Sequence, residues 1–176
     1  MKNAVFLDRD GTINELIFNA KSSSPKTLKD LKLKKNILTI SKYLKRKKYL
    51  LIMITNQPDV SRGINNKRNV NEINNFIKKK INLDDIYVCF SKNDKNFRRK
   101  PNPGMLIEAK KKWKINMKKS FIIGDRMKDM IAGKKAGLKT ILFNKKKINK
   151  TIIDTFGDIN INYRINSLKE IYKIIK

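Results

Sequence analysis

Short apolar runs alternate with longer amphipathic segments along this chain. The first run, "NAVFLDRD", spans residues 3–10 and ends in charged residues. Apolar positions, mostly at helical spacing, follow over residues 31–47 and predict a first helix. The second run, "YLLIMITN", is apolar almost throughout, which is typical of a strand covered on both faces of a parallel sheet.

The same alternation continues to the end of the chain. It predicts helices over residues 66–82, 104–113 and 127–136, and strands at "IYVCF", "SFIIGD", "KTILF" and "INYRI". The last segment, "SLKEIYKII", predicts a helix capped by Ser167. This order predicts an α/β fold of three layers, Rossmann-like, with a mainly parallel sheet. We expect one domain over residues 1–176, because the sequence shows neither a repeat nor an internal linker.

Polar residues stand at the carboxyl ends of three predicted strands, and Lys100 precedes the loop "PNPG" that opens a helix. In an open parallel sheet, ligands bind outside the carboxyl ends of the strands. Asp8 and Asp10 alone also fit an ordinary turn at a strand end. Taken with the other strand ends, they predict one crevice that brings together Asp8, Asp10, Thr55, Asn56, Lys100, Asp125 and Asp129.

Carboxylates gathered in this way need a cation to offset their repulsion. The chain has no His and a single Cys, Cys89, so oxygen atoms dominate the candidate ligands. Hard oxygen ligands of this kind favour Mg²⁺. The lack of His also excludes a Ser-His-Asp triad, a phosphohistidine and a His-ligated zinc.

The chain carries a formal net charge of +28. Lys, Asn and Ile are all abundant, as A/T-rich codons favour, and the lysine runs fall in several segments. We therefore attribute the charge mainly to composition, and keep nucleic-acid binding as the alternative. With either origin, the charge attracts anionic substrates, and salt weakens that attraction.

No run approaches 18 apolar residues, and the first residues lead directly into a strand pattern. We therefore expect no membrane span and no signal peptide. One cysteine allows no internal disulfide, which is typical of a reducing compartment. These features predict a cytoplasmic protein, and they leave its oligomeric state open.

Four motifs follow one another in the chain: "DRDGT", Thr55, Lys100 and "GDRMKD". In order and position they resemble the motifs of the haloacid dehalogenase-like phosphohydrolases. The longer stretches "DRDGTIN", "TNQPDVSRG" and "RRKPNPGML" are similar to the branch that contains heptose bisphosphate phosphatases and histidinol-phosphate phosphatases.

The resemblance implies a reaction in two steps. Asp8 attacks phosphorus to give an aspartyl phosphate, and Asp10 protonates the leaving group and then activates water. Mg²⁺ is held by Asp8, the backbone oxygen of Asp10 and Asp125, and Thr12 could orient Asp10. Thr55 and Lys100 stabilise the oxygens of the phosphoryl group.

The remaining site residues have less definite roles. The resemblance implies that Asn56 and Gln57 line the site and that Arg99, rather than Arg98, holds a substrate phosphate. Arg62 either contacts a distal phosphate or is solvated. Asp129 is either a direct metal ligand or a partner of Lys100, and we favour the partner role.

Two departures from that branch bear on the substrate. Many of its members carry a zinc loop of Cys and His before the "RKP" motif, whereas "VCFSKNDKNFRRKP" has one Cys and no His, so we expect no zinc. No inserted cap domain is predicted, since a loop and one helix separate Gly11 from Thr55. Specificity then depends on the loops at 15–30 and 57–65.

The leading hypothesis is a Mg²⁺-dependent phosphatase of a phosphorylated sugar, with D-glycero-D-manno-heptose 1,7-bisphosphate as the favoured substrate. The alternatives are a nucleic-acid 3′-phosphatase, which the positive charge would suit, and a histidinol-phosphate phosphatase. A binding module without activity is the least favoured reading, because every catalytic position is filled.

Overall fold

The structure is a computed structural model that describes residues 1–17, 23–143 and 160–176. Its sheet is entirely parallel, with the strand order β3-β2-β1-β4-β5-β6. The predicted α/β fold with a parallel sheet is thereby confirmed. The strands are β1 (Ala4–Asp8), β2 (Leu50–Asn56), β3 (Asp85–Cys89), β4 (Phe121–Gly124), β5 (Lys139–Phe143) and β6 (Tyr163–Ile165).

Helices connect the strands. Short 3₁₀ turns lie at Leu28–Asp30, Met117–Lys119 and Leu168–Glu170. Within the described residues, no helix is long and apolar enough to cross a membrane. The α-helices of these residues are α1 (Ile37–Arg46), α2 (Lys67–Ile81), α3 (Gly104–Trp113), α4 (Met127–Lys135) and α5 (Ile171–Ile174).

The central strand β1 is buried on both faces, as its apolar run predicts. Val5 and Leu7 pack in one apolar cluster together with buried residues of α1, α2 and α5. Ala4 and Phe6, which alternate with them, pack in a second cluster together with residues of α3 and α4. The sheet is therefore the middle of three layers.

The first helix begins later than predicted, at Ile37 rather than at residue 31. Leu31 and Leu33 lie before it, and Leu33 forms an antiparallel bridge with Asn14. Both leucines pack against the core from this non-helical segment. Their spacing of two residues is that of an extended chain. Apolar residues continue on both sides of them, and for that reason the sequence pattern predicts a helix that includes both leucines.

The other predicted elements are confirmed to within a few residues. Asn66 caps α2 by accepting a hydrogen bond from the Asn69 backbone N–H. Ser167 caps the final helical segment, accepting from the Lys169 backbone N–H, as predicted. That segment consists of a 3₁₀ turn followed by α5 rather than one continuous helix.

The connections between the strands that carry the predicted site residues are short. The described part of the connection from β1 to β2 contains a 3₁₀ turn and α1, and the chain from β2 to Lys100 contains α2 and β3. Within these residues no cap domain is inserted, in agreement with the prediction. Residues 18–22 of the loop expected to give specificity lie outside the described residues.

Three lysine-rich runs lie at the end of the sheet where its strands begin. They span residues 45–48, 78–80 and 110–112, at the carboxyl ends of α1, α2 and α3. Each of these helices ends shortly before the next strand begins, so its carboxyl end lies at the opposite end of the sheet from Asp8. The runs of α1 and α2 lie on one face of the sheet and that of α3 on the other. The further run "NKKKINK" lies outside the described residues.

Candidate active site

Three carboxylates converge where the central strands end. Asp8 is the last residue of β1, Asp125 follows β4, and Asp129 lies in the first turn of α4. β1 and β4 are neighbours in the sheet, with Leu7 paired with Ile123. One oxygen from each of the three carboxylates lies within 4.8 Å of the others. The predicted meeting of these strand ends is thereby observed.

Lys100 lies between two of these carboxylates. Its Nζ is 2.6 Å from Asp8 Oδ1 and 2.5 Å from Asp129 Oδ1. The Ile54 backbone oxygen lies 3.4 Å from the same nitrogen. The Lys100 side chain is almost completely buried, so it acts as a fixed positive charge beside Asp8.

Burial is the main reason that the Asp8 and Asp125 carboxyls are costly to ionise, and their pKa values are raised accordingly. Burial raises the pKa of Asp8 well above its ordinary value, and the charges of Asp129 and Asp125 add to this effect while Lys100 opposes it. Burial and the charge of Asp129 raise the pKa of Asp125 to about 6. Burial acts to lower the pKa of Lys100, but Asp129 and Asp8 together raise it, so the ammonium stays protonated.

The site can accept a hard divalent cation. Its donors are carboxylate oxygens that are costly to ionise without a further positive charge. Gly11 lets the Asp125 carboxylate come close to the backbone that follows β1, because a Cβ at that position would lie 2.2 Å from Asp125 Oδ2. Its φ of +91° is also one that residues with side chains rarely adopt. The chemistry of the donors fits Mg²⁺.

The Asp10 side chain makes a different set of contacts. Oδ1 accepts hydrogen bonds from Arg9 Nε at 3.1 Å and Asn14 Nδ2 at 3.0 Å. Oδ2 accepts from Arg9 Nη2 at 3.0 Å, Gln57 Nε2 at 2.7 Å and Ser24 Oγ at 2.9 Å. Burial opposes ionisation, but the Arg9 guanidinium and these donors lower the pKa of Asp10. The contacts around Asp10 therefore favour its ionised form, which can accept a proton.

Thr12 does not orient Asp10, and that prediction is wrong. Thr12 Oγ1 is buried and has no hydrogen-bond partner among the described residues. The Asp10 carboxylate is already saturated by side chains that reach it from four other positions. The Asp10 carboxylate therefore does not need Thr12 as a further hydrogen-bond donor.

Thr55 and Gln57 are joined at the end of β2. Gln57 Nε2 donates to Thr55 Oγ1 at 2.8 Å and to Asp10 Oδ2 at 2.7 Å. Both residues are buried. Gln57 therefore links the predicted acid–base residue to the predicted phosphoryl-binding hydroxyl.

Asn56 contacts the backbone of Lys100. Its Nδ2 donates to the Lys100 carbonyl at 3.0 Å, and its Oδ1 accepts from the Lys100 N–H at 3.1 Å. The side-chain contacts of Asn56 are thus those of a residue that fixes the loop carrying Lys100.

The two arginines predicted to bind substrate have acidic partners here. Arg99 Nε lies 2.8 Å from Asp94 Oδ1, and Nη1 donates to the Ser91 carbonyl at 3.0 Å. Arg62 is about half exposed and lies 3.4 Å from Asp59 Oδ1. Neither arginine contacts the carboxylate cluster, so their substrate-binding roles stay predictions.

Asp129 uses both oxygens within the protein. Oδ1 contacts Lys100, and Oδ2 accepts from the Arg126 backbone N–H at 3.1 Å. This arrangement suits the favoured interpretation that Asp129 holds Lys100 in place. A direct bond to metal remains the alternative role.

Sequence similarity to a heptose bisphosphate phosphatase of Pasteurella multocida establishes the family of this chain. That protein is named D-glycero-beta-D-manno-heptose-1,7-bisphosphate 7-phosphatase and is 31% identical over 100% of this chain and 98% of its own length. The chain belongs to the haloacid dehalogenase-like hydrolases. A family model described as HAD-hydrolase-like also matches residues 97–171.

Other members of this hydrolase family agree. A D-glycero-alpha-D-manno-heptose-1,7-bisphosphate 7-phosphatase of Campylobacter jejuni is 32% identical over 95% of this chain and 96% of its own. The crystal structure of a D,D-heptose 1,7-bisphosphate phosphatase from B. bronchiseptica, complexed with magnesium and phosphate, covers 99% of this chain and 98% of its own. Its TM-score is 0.82 at 20% sequence identity, which shows the same fold.

The sequence did not reveal the buried support behind the hydrolase motif "DRDGT". Arg9 Nη1 donates to Asn74 Oδ1 at 3.0 Å, although the two residues are 65 positions apart. One signal was available. Asn74 stands on the apolar face of α2, beside Val70, Ile73 and Ile77, where a polar residue needs a partner. The contributions of Asn14 and Ser24 left no comparable signal.

Proposed function

We propose that this protein is a Mg²⁺-dependent phosphatase that removes the C7 phosphate of D-glycero-D-manno-heptose 1,7-bisphosphate through an aspartyl phosphate. The observation that carries the proposal is Asp8, buried beside Asp125 and Asp129 with Lys100 Nζ at 2.6 Å. Full-length relatives that carry this activity in their names support the choice of substrate.

The cation site uses residues from two neighbouring strands. Asp8, Asp125 and the backbone oxygen of Asp10 would hold Mg²⁺, while Asp129 keeps Lys100 in position. Bound Mg²⁺ supplies positive charge that offsets the repulsion between a carboxylate and a phosphate dianion. Asp8 and Asp125 have raised pKa values in its absence, so their ionised forms gain most from that charge.

The first step transfers the phosphoryl group to Asp8. A carboxylate oxygen of Asp8 forms a bond to phosphorus as the bond from phosphorus to the C7 oxygen breaks. Lys100 stays protonated and, with the Thr55 hydroxyl, stabilises the charge on the phosphoryl oxygens. Asp10, which is ionised in the free site, takes up a proton from solvent before this step and gives it to the C7 oxygen, which leaves as an alcohol.

The second step releases phosphate. Asp10, now ionised, accepts a proton from water as the water oxygen attacks phosphorus, and Asp8 is regenerated as a carboxylate. The proton that Asp10 gave in the first step is thus recovered. The hydrogen bonds observed around Asp10 stabilise this ionised form.

The position of the lysine runs favours a small substrate over a nucleic-acid end. The runs 45–48, 78–80 and 110–112 lie at the end of the sheet away from Asp8. They would hold a polyanion far from the nucleophile rather than lead it into the crevice. Two basic residues do lie near the crevice, Arg126 beside Asp125 and Lys128 beside Asp94, so the salt dependence of turnover is needed to separate the two kinds of substrate.

A panel of phosphate esters tests the proposal by phosphate release. It contains both anomers of the heptose bisphosphate, histidinol phosphate and a 3′-phosphorylated oligonucleotide, each assayed between about 50 and 200 mM salt. We expect a heptose bisphosphate to be the best substrate at every salt concentration and to lose only the C7 phosphate. Preferred turnover of the oligonucleotide at the upper salt concentration would contradict the proposal, and so would preferred turnover of histidinol phosphate.

Arg99 and Arg62 are proposed to contact the phosphate groups of the bound substrate. For Arg99 this requires the guanidinium to exchange its contact with Asp94, which is itself largely exposed. The variants Arg99→Gln and Arg62→Gln test this, with Arg98→Gln as the matched control, because Arg98 pairs with Glu108 at the surface. We expect a higher KM for the first two variants and an unchanged KM for the control.

A further inference from the structure

Arg9 is the most deeply buried charge next to the nucleophile. Its side chain is inaccessible to solvent, and a buried guanidinium is costly unless its N–H groups are paired. Nε and Nη2 form a two-point contact with the Asp10 carboxylate, at 3.1 and 3.0 Å. Nη1 points the other way and donates to Asn74 Oδ1 at 3.0 Å. The guanidinium therefore connects α2 with the carboxylate of Asp10.

Asn74 is used only as an acceptor. A guanidinium has N–H donors and no acceptor, so the amide atom that faces Arg9 must be the oxygen. The other amide atom, Nδ2, is buried and has no hydrogen-bond partner among the described residues. Asn74 is 3% exposed on the apolar face of α2. An aliphatic residue there would remove the unpaired Nδ2 donor, but it would leave the buried Arg9 Nη1 N–H without its acceptor. The amide is therefore explained by its contact with Arg9 and not by apolar packing.

We propose that Asn74 is a positioning residue for proton transfer, acting through Arg9 on Asp10. The contact with Nη1 fixes the rotation of the guanidinium about its long side chain. The two-point contact then fixes the plane of the Asp10 carboxylate, and with it the direction in which a proton reaches the leaving oxygen. The inference rests on the proposed function, because it assigns Asn74 a part in the acid step of that reaction.

The leaving group separates this role from a purely structural one. Breaking the bond from phosphorus to a sugar oxygen needs a proton from Asp10, whereas p-nitrophenolate leaves without one. kcat/KM covers the steps up to formation of the aspartyl phosphate, and it therefore includes the acid step and excludes the later attack of water. General damage to the site lowers kcat/KM for both esters, but a misdirected acid lowers it mainly for the sugar ester.

Three variants on α2 provide the test. Asn74→Leu removes the acceptor, Asn74→Asp keeps an oxygen toward Arg9 and removes the unpaired donor, and Asn75→Leu makes the same change at an exposed neighbour. For Asn74→Leu we expect kcat/KM on the heptose bisphosphate to fall about 10- to 100-fold, and on p-nitrophenyl phosphate less than about threefold. Asn74→Asp restores an acceptor for Arg9, so its kcat/KM on the sugar ester should recover relative to Asn74→Leu, whereas Asn75→Leu should stay close to wild type on both esters.

Equal losses of kcat/KM on the two esters for Asn74→Leu would overturn the inference. An unchanged kcat/KM on the sugar ester would also overturn it, and so would an Asn74→Asp variant that recovers no activity on the sugar ester relative to Asn74→Leu. If Asn74→Leu does not fold by circular dichroism, Asn74→Ala replaces it with the same expectations. The wild-type protein tests the proposed function separately. If it prefers another alkyl phosphate, the proposed substrate is wrong, and the same comparison on that ester still decides the role of Asn74.

Discussion

Asn56 and Lys100 hold each other through a reciprocal pair of hydrogen bonds, from the Lys100 N–H to Asn56 Oδ1 at 3.1 Å and from Asn56 Nδ2 to the Lys100 carbonyl at 3.0 Å. Asn56 ends β2, a rigid strand of the central sheet, whereas Lys100 lies in the loop before α3. The pair therefore ties the catalytic loop to the sheet. It holds the Lys100 backbone beside the end of β2, and from there Nζ reaches Asp8 and Asp129.

Asn56→Ala should reduce kcat by about 100-fold, because a shift of about 1 Å in a positioned group can cost that much. KM for the sugar phosphate should change much less if Asn56 mainly positions Lys100. Steady-state kinetics of the purified variant, with Asn75→Ala as a surface control, measure both effects. A large increase in KM with kcat retained would show instead that Asn56 binds substrate directly.

Asp8→Asn should abolish turnover while keeping the fold. Because burial raises the pKa of Asp8, ionising this carboxyl costs more than it would in water, and a neutral amide of the same shape relieves that cost. We therefore expect no loss in Tm without added metal, together with a smaller Tm increase on adding Mg²⁺. Phosphate release and thermal unfolding are measured in parallel. Activity above a few per cent of wild type would exclude Asp8 as the nucleophile.

Removal of divalent cations should stop the reaction, and Mg²⁺ should restore it. The carboxylate oxygens that converge near Asp8 suit Mg²⁺, whereas the chain lacks the His and multiple Cys residues of a structural zinc loop. We expect elemental analysis of protein purified without chelator to show no stoichiometric zinc. One zinc per chain, or full activity in excess chelator, would contradict this prediction.

Asp85 gives a pH dependence of stability away from the active site. Burial opposes its ionisation, but hydrogen bonds from Lys112, Trp113 and the Ile86 N–H lower its pKa below the ordinary value of 3.8. A lowered folded-state pKa means that the stabilisation is complete well above pH 3.8 and is lost as the pH falls through and below that value.

The variant Asp85→Asn isolates this contribution. We expect it to lower the free energy of unfolding at pH 7 by about 1 to 2 kcal/mol, with the difference from wild type shrinking below about pH 4. Trp113 is the only tryptophan, and its Nε1 donates to Asp85 Oδ2 at 2.8 Å, so its fluorescence follows denaturant unfolding at each pH. A difference that stays constant from pH 7 to pH 3 would rule out the ionised carboxylate as its source.

The sequence predicted the parts of the site that follow from topology. Asp8 and Asp125 end neighbouring parallel strands, so their convergence needs only the strand pattern and the rule that carboxyl ends share one edge. Lys100 was placed by its motif. Its two contacts, to Asp8 and Asp129, are consistent with that placement.

The sequence could not predict which polar side chains support the catalytic ones. Arg9 pairs with Asn74 from another helix, and Asn56 pairs with a backbone 44 positions away. Such pairs depend on side-chain rotamers and on how a helix packs over the sheet, and neither is encoded in local periodicity. The predicted start of the first helix was wrong for a related reason. Leu31 and Leu33 reach the core from a loop, and along the sequence they continue the apolar pattern of the helix that follows.

The end of the sheet at which α1, α2 and α3 finish offers a charged solid a place to bind that is away from the active site. The exposed lysines of the runs 45–48, 78–80 and 110–112 lie at that end, while Asp8 lies where the strands finish. A sulfonated resin or a silica surface carries many fixed negative charges, and it can therefore bind these lysines. Protein adsorbed in this way faces the bulk liquid with its crevice open, so an immobilised preparation should remain accessible to dissolved sugar phosphates without an engineered tether.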